Sequence, residues 1–474
     1  MKKRKIIITI NLIVLGIGFL YLGNELHKAY RNIKKENIKL GYKFSYKGTD
    51  DFNKQKGKWK IELIDADNTY TDGAHNLVPY DLDNDHQLEL IANSYRSDTL
   101  IIYKLNNNSN SQSKWFRHVI DDSVGGGVSK TPFFKYIKST IKEKILGGFT
   151  GGSHYTAIAD LNNDGKVDLI VAGDLKRYDV VWYEAPNDIT KTSEWKKHIA
   201  YQNNSHRTYH VETGDIDGDG FQDIVLATKI ENSLGWLKNT GLPNEWPIVW
   251  ISQECVRCFN VRIADLDKDG RSDVLASEDN SLAGGKLHLY TYSENPILQE
   301  SWTDHIIAHF PEHHGVSVFE IEDIDFDDDL DIITTNHQGD VCIIENPFPI
   351  NNLKNWKQYR VNNYDINSGH NFREIDVGDI DHDGDQDIIV TDEKMNMIIW
   401  FENKGMTLNS NWDMHIIDES NKYLSWCHSV EFGDINNDGY LDIAVAAAKS
   451  NTFLIYLNFF PIKNPQLKKT ELQF

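Results

Sequence analysis

Seven acidic segments of nine residues carry the clearest chemistry in the sequence. In the segment Asp215-Ile-Asp217-Gly-Asp219-Gly220-Phe-Gln-Asp223, carboxylates stand at positions 1, 3, 5 and 9, and glycine stands at position 6. Ca²⁺ takes about six to eight oxygen ligands in flexible geometry, and glycine permits the sharp turn that brings such ligands together. The spacing therefore predicts that each segment, called here an acidic loop, wraps one calcium ion.

The acidic loops are numbered 1 to 7 in chain order. Their predicted calcium ligands are Asp81, Asp83, Asp85 and Glu89; Asp160, Asn162, Asp164 and Asp168; Asp215, Asp217, Asp219 and Asp223; Asp265, Asp267, Asp269 and Asp273; Asp323, Asp325, Asp327 and Asp331; Asp379, Asp381, Asp383 and Asp387; and Asp434, Asn436, Asp438 and Asp442. His86 and Asp328 replace the glycine in loops 1 and 5, and Glu89 replaces the last aspartate of loop 1. His and Asp tolerate a left-handed backbone better than most residues, but we expect these two loops to be the weakest calcium sites.

The acidic loops belong to a repeat that predicts the fold. After the first interval they recur every 50 to 58 residues, a period typical of propellers and other repeat architectures. Each unit contains four short β-rich runs separated by Gly, Asn or Asp, which is the pattern of antiparallel strands. Seven such units predict an all-β protein, a seven-bladed β-propeller with four-stranded antiparallel blades.

Tryptophan placement predicts how the ring closes. The fourth run of each of the first six units begins with a tryptophan; these are Trp115, Trp195, Trp246, Trp302, Trp356 and Trp412. The last unit has no such run, but Trp59-Lys-Ile-Glu62 precedes the first unit. We expect this N-terminal strand to complete the seventh blade, which would leave no open sheet edge there.

Five loop sequences also carry a resemblance to a known family. DLNNDGKVD, DIDGDGFQD, DLDKDGRSD, DIDHDGDQD and DINNDGYLD resemble the FG-GAP/VCBS repeats of integrin α-type propellers, over roughly residues 58–458. The resemblance implies a calcium-binding seven-bladed propeller. It says little about activity, because propellers host many functions; some of this kind are sugar-binding lectins, and others accompany sugar-modifying enzymes.

The net charge does not predict a basic partner. The 474-residue chain has a formal net charge of −22, but 26 of the 28 predicted ligand positions are carboxylates. Without them the charge would be about +4, so bound cations would neutralise much of the acidity. Nucleic acid is excluded as a partner because nucleic-acid binding needs a basic face.

The N-terminal segment predicts a membrane anchor. Residues 2–5 are all basic, and Ile6 to Leu22 is uncharged and mostly apolar. No small-x-small cleavage site follows, so residues 1–23 are interpreted as a signal-anchor (transmembrane) helix rather than a cleaved signal peptide, although the cleaved form stays an alternative. Residues 24–57 form a polar stalk, and the propeller over residues 58–458 would then be extracytoplasmic, periplasmic or at the cell surface, followed by a tail over residues 459–474.

The first interval between acidic loops is longer than the others because of an insert at residues 122–152. It would join the fourth strand of the first blade to the first strand of the second, on the face opposite the acidic loops. Loops of this length are usually functional or disordered, and an elaborated hairpin is the competing interpretation.

A second candidate site lies at the propeller axis, which the first strands line. One interpretation is a funnel in which an imidazole shuttles protons and an arginine clamps an acidic sugar. The predicted catalytic residues are His154, Tyr155, Arg207, Tyr209 and His210, and the predicted ligand-binding residues are His75, His314, His370, Arg373, Trp426 and His428. In the competing interpretation the histidines only form hydrogen bonds between blades.

Cysteine spacing gives a weaker signal. Cys255-Val-Arg-Cys258 is a lone CxxC, which could be a redox pair or half of a metal site. Without a second CxxC, a local disulfide or two free thiols is the favoured interpretation.

Two functions are therefore compatible with the sequence. The first is a membrane-anchored, calcium-binding propeller that holds carbohydrate or protein on the face opposite the acidic loops. The alternative is a polysaccharide lyase or sugar dehydratase with its site at the axis. Exposed His and Arg side chains within reach of one another would favour the enzyme, whereas a filled axis would favour binding.

Overall fold

The computed structural model describes residues 59–459, except 106–113, 125–152, 174–179, 203–207, 229–230, 281–282, 313, 348–354, 363–368, 406–407, 409–411 and 420–422. The predicted anchor, the stalk, the C-terminal tail and most of the insert lie outside the described residues. Within those described, no helix has the length and apolar character needed to cross a membrane.

The described residues form seven four-stranded antiparallel sheets, the blades. Blade 1 contains β2 (Ala74–Tyr80), β3 (Glu89–Ser94), β4 (Thr99–Leu105) and β5 (Trp115–Asp121); blade 2 contains β6 (Ser153–Ala159), β7 (Asp168–Gly173), β8 (Val180–Glu184) and β9 (Lys196–Tyr201); blade 3 contains β10 (Thr208–Gly214), β11 (Asp223–Thr228), β12 (Ser233–Leu237) and β13 (Ile248–Ser252). Blade 4 contains β14 (Cys258–Ala264), β15 (Asp273–Glu278), β16 (Lys286–Tyr292) and β17 (Trp302–His309); blade 5 contains β18 (Val316–Glu322), β19 (Asp331–Asn336), β20 (Val341–Glu345) and β21 (Lys357–Arg360).

The ring continues through blades 6 and 7. Blade 6 contains β22 (Phe372–Gly378), β23 (Asp387–Asp392), β24 (Met397–Glu402) and β25 (Asp413–Asp418); blade 7 contains β26 (Cys427–Gly433), β27 (Asp442–Ala447), β28 (Thr452–Asn458) and the N-terminal β1 (Trp59–Asp65). A short helix, α1 (Asn68–Thr71), precedes β2, and a 3₁₀ helix (Gln299–Ser301) precedes β17. Neighbouring first strands contact one another around the axis, including β26 with β2, which confirms the predicted seven-bladed propeller.

The N-terminal strand closes the ring as predicted. β1 pairs antiparallel with β28, with Trp59 opposite Asn458 and Ile61 opposite Tyr456. The first and last strands of the propeller therefore belong to the same sheet, and unwinding either end exposes an edge of blade 7.

The hydrophobic core lies between adjacent blades. Second strands such as Ile224–Ala227 are buried along their whole length, because each blade is covered on both faces by its neighbours. In one cluster, Val225 and Trp236 of blade 3 pack with Val261 and Tyr290 of blade 4. This packing explains why the second strands are continuous apolar runs rather than alternating ones.

Strand direction places the acidic loops together. Each acidic loop joins the first strand of a blade to the second, so all seven loops lie on one face of the ring, called here the loop face. The starts of the first strands and the turns between second and third strands lie on the other side, called here the opposite face.

Candidate functional site

The acidic loops share one backbone conformation. Positions 4 and 6 have positive φ in every loop, between 56° and 72° at position 4 and between 64° and 99° at position 6. His86 (φ 64°) and Asp328 (φ 71°) adopt the left-handed conformation that the sequence predicted for them. All seven loops are therefore folded alike, whatever residue occupies position 6.

Hydrogen bonds to the backbone hold the carboxylates of each loop in place. In loop 3, Asp215 accepts from the amides of Asp219 (3.1 Å) and Gly220 (2.8 Å), and Asp223 accepts from those of Ile216 (3.1 Å) and Asn239 (2.7 Å). These bonds leave ligand oxygens of Asp215, Asp217 and Asp223 within 4.8 Å of one another. Equivalent groups occur at Asp81, Asp83 and Asp85; Asp265, Asp267 and Asp269; Asp323, Asp325 and Asp327; and Asp379, Asp381 and Asp387.

The carboxylate at position 9 is buried in every acidic loop. Asp223 and Asp387 are fully buried. Burial, with nearby loop aspartates adding to it, raises the pKa of Asp223 to about 7 and that of Asp387 to about 9. A buried anion beside other anions is unfavourable until a proton or a cation neutralises it. The donor set thus fits a hard, oxygen-preferring cation such as calcium.

Third strands bring a further side chain to each acidic loop, and its identity differs between blades. In each blade, one residue of the third strand pairs with the first apolar residue of the second strand. The residue that follows it is, in blades 1 to 7, Lys104, Glu184, Lys238, Thr291, Glu345, Glu402 and Leu457. In loop 1, the Lys104 ammonium lies 2.8 Å from Asp83, 3.0 Å from Asp85 and 2.7 Å from Glu89. In loop 3, Lys238 contacts Asp217 and lies 2.7 Å from Asp219. Loops 1 and 3 therefore carry their own cation.

Loop 5 has a carboxylate, rather than an ammonium, at the third-strand position. Glu345 stands where loops 1 and 3 have lysine and pairs with Lys357 (2.8 Å); both residues border a cavity of about 450 Å³ together with Asp327 and Asp329. Asp331 is 1% exposed, and its Oδ2 has no hydrogen-bond partner within the described part of the chain. Burial raises the pKa of Asp331 to about 8, with Asp325 adding to the effect. The donor set of loop 5 therefore fits a cation, although Asp328 replaces glycine.

At the axis, five side chains meet to form what we call the axial plug: Tyr155, Tyr209, His210, Arg373 and Glu374. Tyr155 of blade 2 donates a hydrogen bond to Glu374 of blade 6 (2.5 Å). Arg373 of blade 6 donates to the Tyr209 hydroxyl of blade 3. The rings of Tyr155 and His210 lie 4.4 Å apart. These contacts join blades on opposite sides of the ring, so the side chains fill the axis at this level.

A second set of charged side chains lies closer to the loop face, three residues before the acidic loops. This axial charge ring consists of Glu212, Arg262, Glu320, Asp376 and Glu431. Arg262 forms ion pairs with Glu320 and, at 3.4 Å, with Glu212, and its Nη1 donates to Nε2 of His210 (3.2 Å). The Arg262 side chain is 23% exposed, so solvent reaches this level of the axis.

Burial and repulsion raise the pKa values of carboxylates in both the axial plug and the axial charge ring. Burial raises the pKa of Glu374 to about 7, against the pull of Arg373. Burial and Glu320 raise the pKa of Asp376 to about 7. Burial and Asp376 hold the pKa of Glu431 well above its usual range. With one arginine among four carboxylates, the ring keeps part of its protons near neutral pH.

The structure brings together some of the predicted axial residues and separates others. Tyr155, Tyr209, His210 and Arg373 lie in the axial plug, and burial together with Arg262 lowers the pKa of His210 well below its usual value. His75 packs beside Tyr155 (5.4 Å between ring centroids) and His428 (4.7 Å). His314 pairs with Asp340 (3.0 Å) and His370 with Asp392, both within their own blades. Arg207 lies outside the described residues, and His154 belongs to β6 without a described side chain.

Trp426 stands apart on the opposite face. Its φ is 58°, and its amide donates to Asn396 Oδ1 (3.0 Å) in a turn of blade 6. The equivalent position before β2 is Gly73 (φ 71°), whose amide donates to Asn451 of blade 7 (2.8 Å). Arg257 before β14 makes the same contact to Asn232 of blade 3 (2.7 Å) at a φ of 53°, so the contact links neighbouring blades with glycine, arginine or, in blade 7, an indole at this position.

Sequence reasoning missed the axial charge ring. A usable signal was present, because five of the seven first strands carry a charged residue three positions before the acidic loop. Glu374, the partner of Tyr155, was missed as well. It stands five positions before its loop, as Tyr155 and His210 do before theirs.

The fold and its loops define a seven-bladed β-propeller built from acidic-loop repeats. The family model described as FG-GAP-like repeat matches residues 160–226, 215–276 and 379–445, so the chain contains this repeat at three places. These matches include loops 2, 3, 4, 6 and 7. A search among curated protein sequences found no match.

Solved structures of low sequence identity share the architecture. The BBS1N chain from its crystal structure with ARL6DN is 10% identical, covers 86% of this chain and 99% of its own, and has a TM-score of 0.50. An Agrocybe aegerita lectin that recognises non-reducing terminal N-acetylglucosamine is 14% identical over 74% of this chain and 81% of its own, with a TM-score of 0.47. The Dos1 propeller is 9% identical over 79% and 77%, with a TM-score of 0.46. These likenesses concern the fold alone.

Proposed function

We propose that this protein is a ligand-binding β-propeller that calcium stabilises and that holds an acidic carbohydrate on its opposite face. The observation that carries the proposal is Trp426, a bulky residue held at positive φ where blade 1 has Gly73. Such strain costs about 1–3 kcal/mol and concentrates at functional positions. Because Arg257 has a similar φ at the equivalent position of blade 4, the indole itself, rather than the backbone strain, marks Trp426 as the candidate ligand contact.

The surroundings of Trp426 suit a sugar that carries a negative charge. The exposed Lys449 places its ammonium 5.7 Å from the indole centroid, and His428 stacks 6.4 Å from the ring at an interplanar angle of 19°. The turn that holds Trp426 also carries the exposed Lys394. An aromatic face can stack on a sugar ring, and an ammonium can pair with a carboxylate or sulfate.

The axial plug favours binding over catalysis. A lyase would need a base, an acid and a charge clamp that a substrate can reach. Tyr155 and Arg373 are at most 7% exposed and hold Glu374 and Tyr209 across the axis. The lyase or dehydratase alternative therefore rests on Arg207 and the His154 side chain, which lie outside the described part.

Calcium and location complete the proposal. Loops 2, 4, 5, 6 and 7, which have no lysine at the third-strand position, are the proposed calcium sites. The basic residues 2–5 and the apolar Ile6 to Leu22 support a membrane anchor with the propeller outside the cytoplasm, where calcium is plentiful. Alkaline carbonate washing of membranes tests the anchor: a chain released by the wash would contradict it.

A glycan array tests the binding proposal. The full chain, with calcium chloride added, is compared with Trp426→Ala and Lys449→Ala, and with Phe116→Ala as a control at an exposed outer-strand position. We expect binding to uronate- or sulfate-bearing glycans, loss of at least tenfold in affinity in the first two variants, and wild-type affinity in the control. Absence of glycan binding, or equal binding by all variants, would contradict the proposal. Cleavage of an array glycan would favour the lyase instead.

A further inference from the structure

The CxxC segment is buried between blades 3 and 4. Cys255 and Cys258 are both 0% exposed, and their side chains are hydrogen-bonded to each other. A tight turn sets their spacing, since the Cys258 amide donates to the Cys255 carbonyl (3.2 Å) and Arg257 between them has a φ of 53°. The two sulfurs therefore face the same point inside the protein.

Neighbouring strands of blade 4 supply two more ligand groups at this point. Glu278 of β15 stands directly opposite Cys258 of β14 in the sheet and is 1% exposed. His288 of β16 is 4% exposed, and its Nε2 lies 3.5 Å from Glu278 Oε2. His288 also interacts electrostatically with Cys255. Two thiols, an imidazole and a carboxylate thus converge from β14, the turn before it, β15 and β16.

Asp304 fixes the orientation of the His288 ring. Its Nδ1 lies 2.9 Å from Asp304 Oδ1 and 3.1 Å from Oδ2. A carboxylate on one imidazole nitrogen, with the other nitrogen directed at sulfur and oxygen ligands, is the arrangement that orients histidines in zinc sites. The sheet therefore presents Nε2, rather than Nδ1, to Glu278.

The charges of these groups favour a divalent cation among them. Two thiolates and the Glu278 carboxylate would carry three negative charges, and a divalent cation with the Lys286 ammonium, 3.0 Å from Glu278, would neutralise them. Oxygen-preferring cations such as calcium disfavour sulfur ligands, whereas zinc accepts sulfur, nitrogen and oxygen in tetrahedral sites.

We propose that Cys255, Cys258, His288 and Glu278 bind one zinc ion between blades 3 and 4. The ion replaces the two thiol protons and the proton that His288 carries on Nε2, which leave to solvent, and it links the segment before β14 to β15 and β16. This site is separate from the acidic loops in both position and ligand chemistry. The favoured sequence interpretation of a local disulfide or free thiols is the competing outcome.

Cobalt substitution tests the proposal with an optical signal specific for sulfur ligation. The full chain, reduced and saturated with calcium so that the acidic loops do not take up cobalt, is titrated with Co²⁺ in the absence of zinc. We expect thiolate-to-cobalt charge-transfer absorption at one equivalent, and its loss when one equivalent of Zn²⁺ is added. Cys342→Ser, at a buried cysteine of blade 5, is the matched control and should leave the absorption unchanged.

Variants assign the ligands. Cys255→Ser and Cys258→Ser should each abolish or strongly weaken the charge-transfer band, and Asp304→Asn, which keeps all four ligands, should weaken cobalt affinity by about 10–100-fold. Circular dichroism checks that each variant is folded, and Asp304→Asn keeps the test decisive if the cysteine variants do not fold. Absence of the band in the reduced wild type, an unchanged band in Cys255→Ser, or a Cys255–Cys258 disulfide that persists under reducing conditions would overturn the proposal.

Discussion

At the scale of single residues, one third-strand position distinguishes acidic loops 1 and 3 from loop 5. Lys104 and Lys238 place ammonium groups against the carboxylates of loops 1 and 3, whereas Glu345 adds a carboxylate beside loop 5. An ammonium neutralises the loop without an ion, and it repels a divalent cation. We therefore expect loops of nearly identical sequence to differ in their affinity for calcium.

Replacing these lysines should create calcium sites. We expect Lys104→Gln and Lys238→Gln each to add about one bound calcium per chain, because the loop carboxylates lose their internal counter-charge. Calcium stoichiometry measured by isothermal titration calorimetry checks this. Lys60→Gln, on the outer strand β1 and paired only with Glu62 among its described contacts, is the control. An unchanged stoichiometry in both loop variants would show that the lysines do not substitute for calcium.

The axial carboxylates predict a pH dependence of stability. The pKa of Glu374 is raised from an ordinary 4.5 to about 7, so the folded protein binds its proton more tightly than the unfolded chain does. The contribution to stability is full below pH about 4.5 and is lost as the pH rises through about 7; for Glu374 it amounts to at most about 3 kcal/mol. Asp376 acts in the same direction.

We therefore expect the free energy of unfolding in saturating calcium to fall between pH 5 and pH 8. Glu374→Gln, which still accepts the Tyr155 hydrogen bond but cannot ionise, should flatten that fall. Urea denaturation at each pH measures the effect, and Glu254→Gln at an exposed position serves as control. A fall of equal size in Glu374→Gln and the wild type would rule out Glu374 as its source.

At the scale of elements, asparagines tie neighbouring blades together on the loop face. The Asn239 amide group donates to the Leu161 carbonyl in loop 2 (2.8 Å), and its backbone amide donates to Asp223 in loop 3 (2.7 Å). Asn346 and Asn458 make the same inter-blade contact, to Leu266 (3.2 Å) and Ile380 (2.9 Å). Blades 3, 5 and 7 are thereby each attached to the acidic loop of the blade before them.

Removing such a contact should destabilise the ring. Asn239→Ala leaves the buried Leu161 carbonyl without this donor, and we expect a loss of about 1–3 kcal/mol in the free energy of unfolding. Urea denaturation of Asn239→Ala beside Asn355→Ala, an exposed asparagine, gives the comparison. Equal stability of the two variants would mean that the contact contributes nothing measurable.

At the scale of the whole molecule, bound calcium should stabilise the folded propeller. Each bound ion stabilises the folded state by about 2.7 kcal/mol at a free concentration of one hundred times its dissociation constant. Chelation of calcium is therefore expected to lower the melting temperature by many degrees, as calorimetry would show. A melting temperature that chelator leaves unchanged would exclude the acidic loops as occupied calcium sites.

The sequence by itself determined the repeat, the number of blades, the shared turn of the acidic loops and the closure by Trp59. These features depend on local patterns, because strands, turns and their period are encoded within about 50 to 58 residues. Even the left-handed residues His86 and Asp328 followed from their position in the loop.

Tertiary structure alone decided which side chains meet. Tyr155 and Glu374 are 219 residues apart and join only because the ring brings blades 2 and 6 to a common axis. Cys255 and His288 converge because β14, which follows Cys255, and β16, which contains His288, lie in the same sheet with only β15 between them. A repeat predicts where a residue stands within its own blade, but the residue it faces across the axis or between blades depends on how the blades close into a ring, which no local pattern encodes.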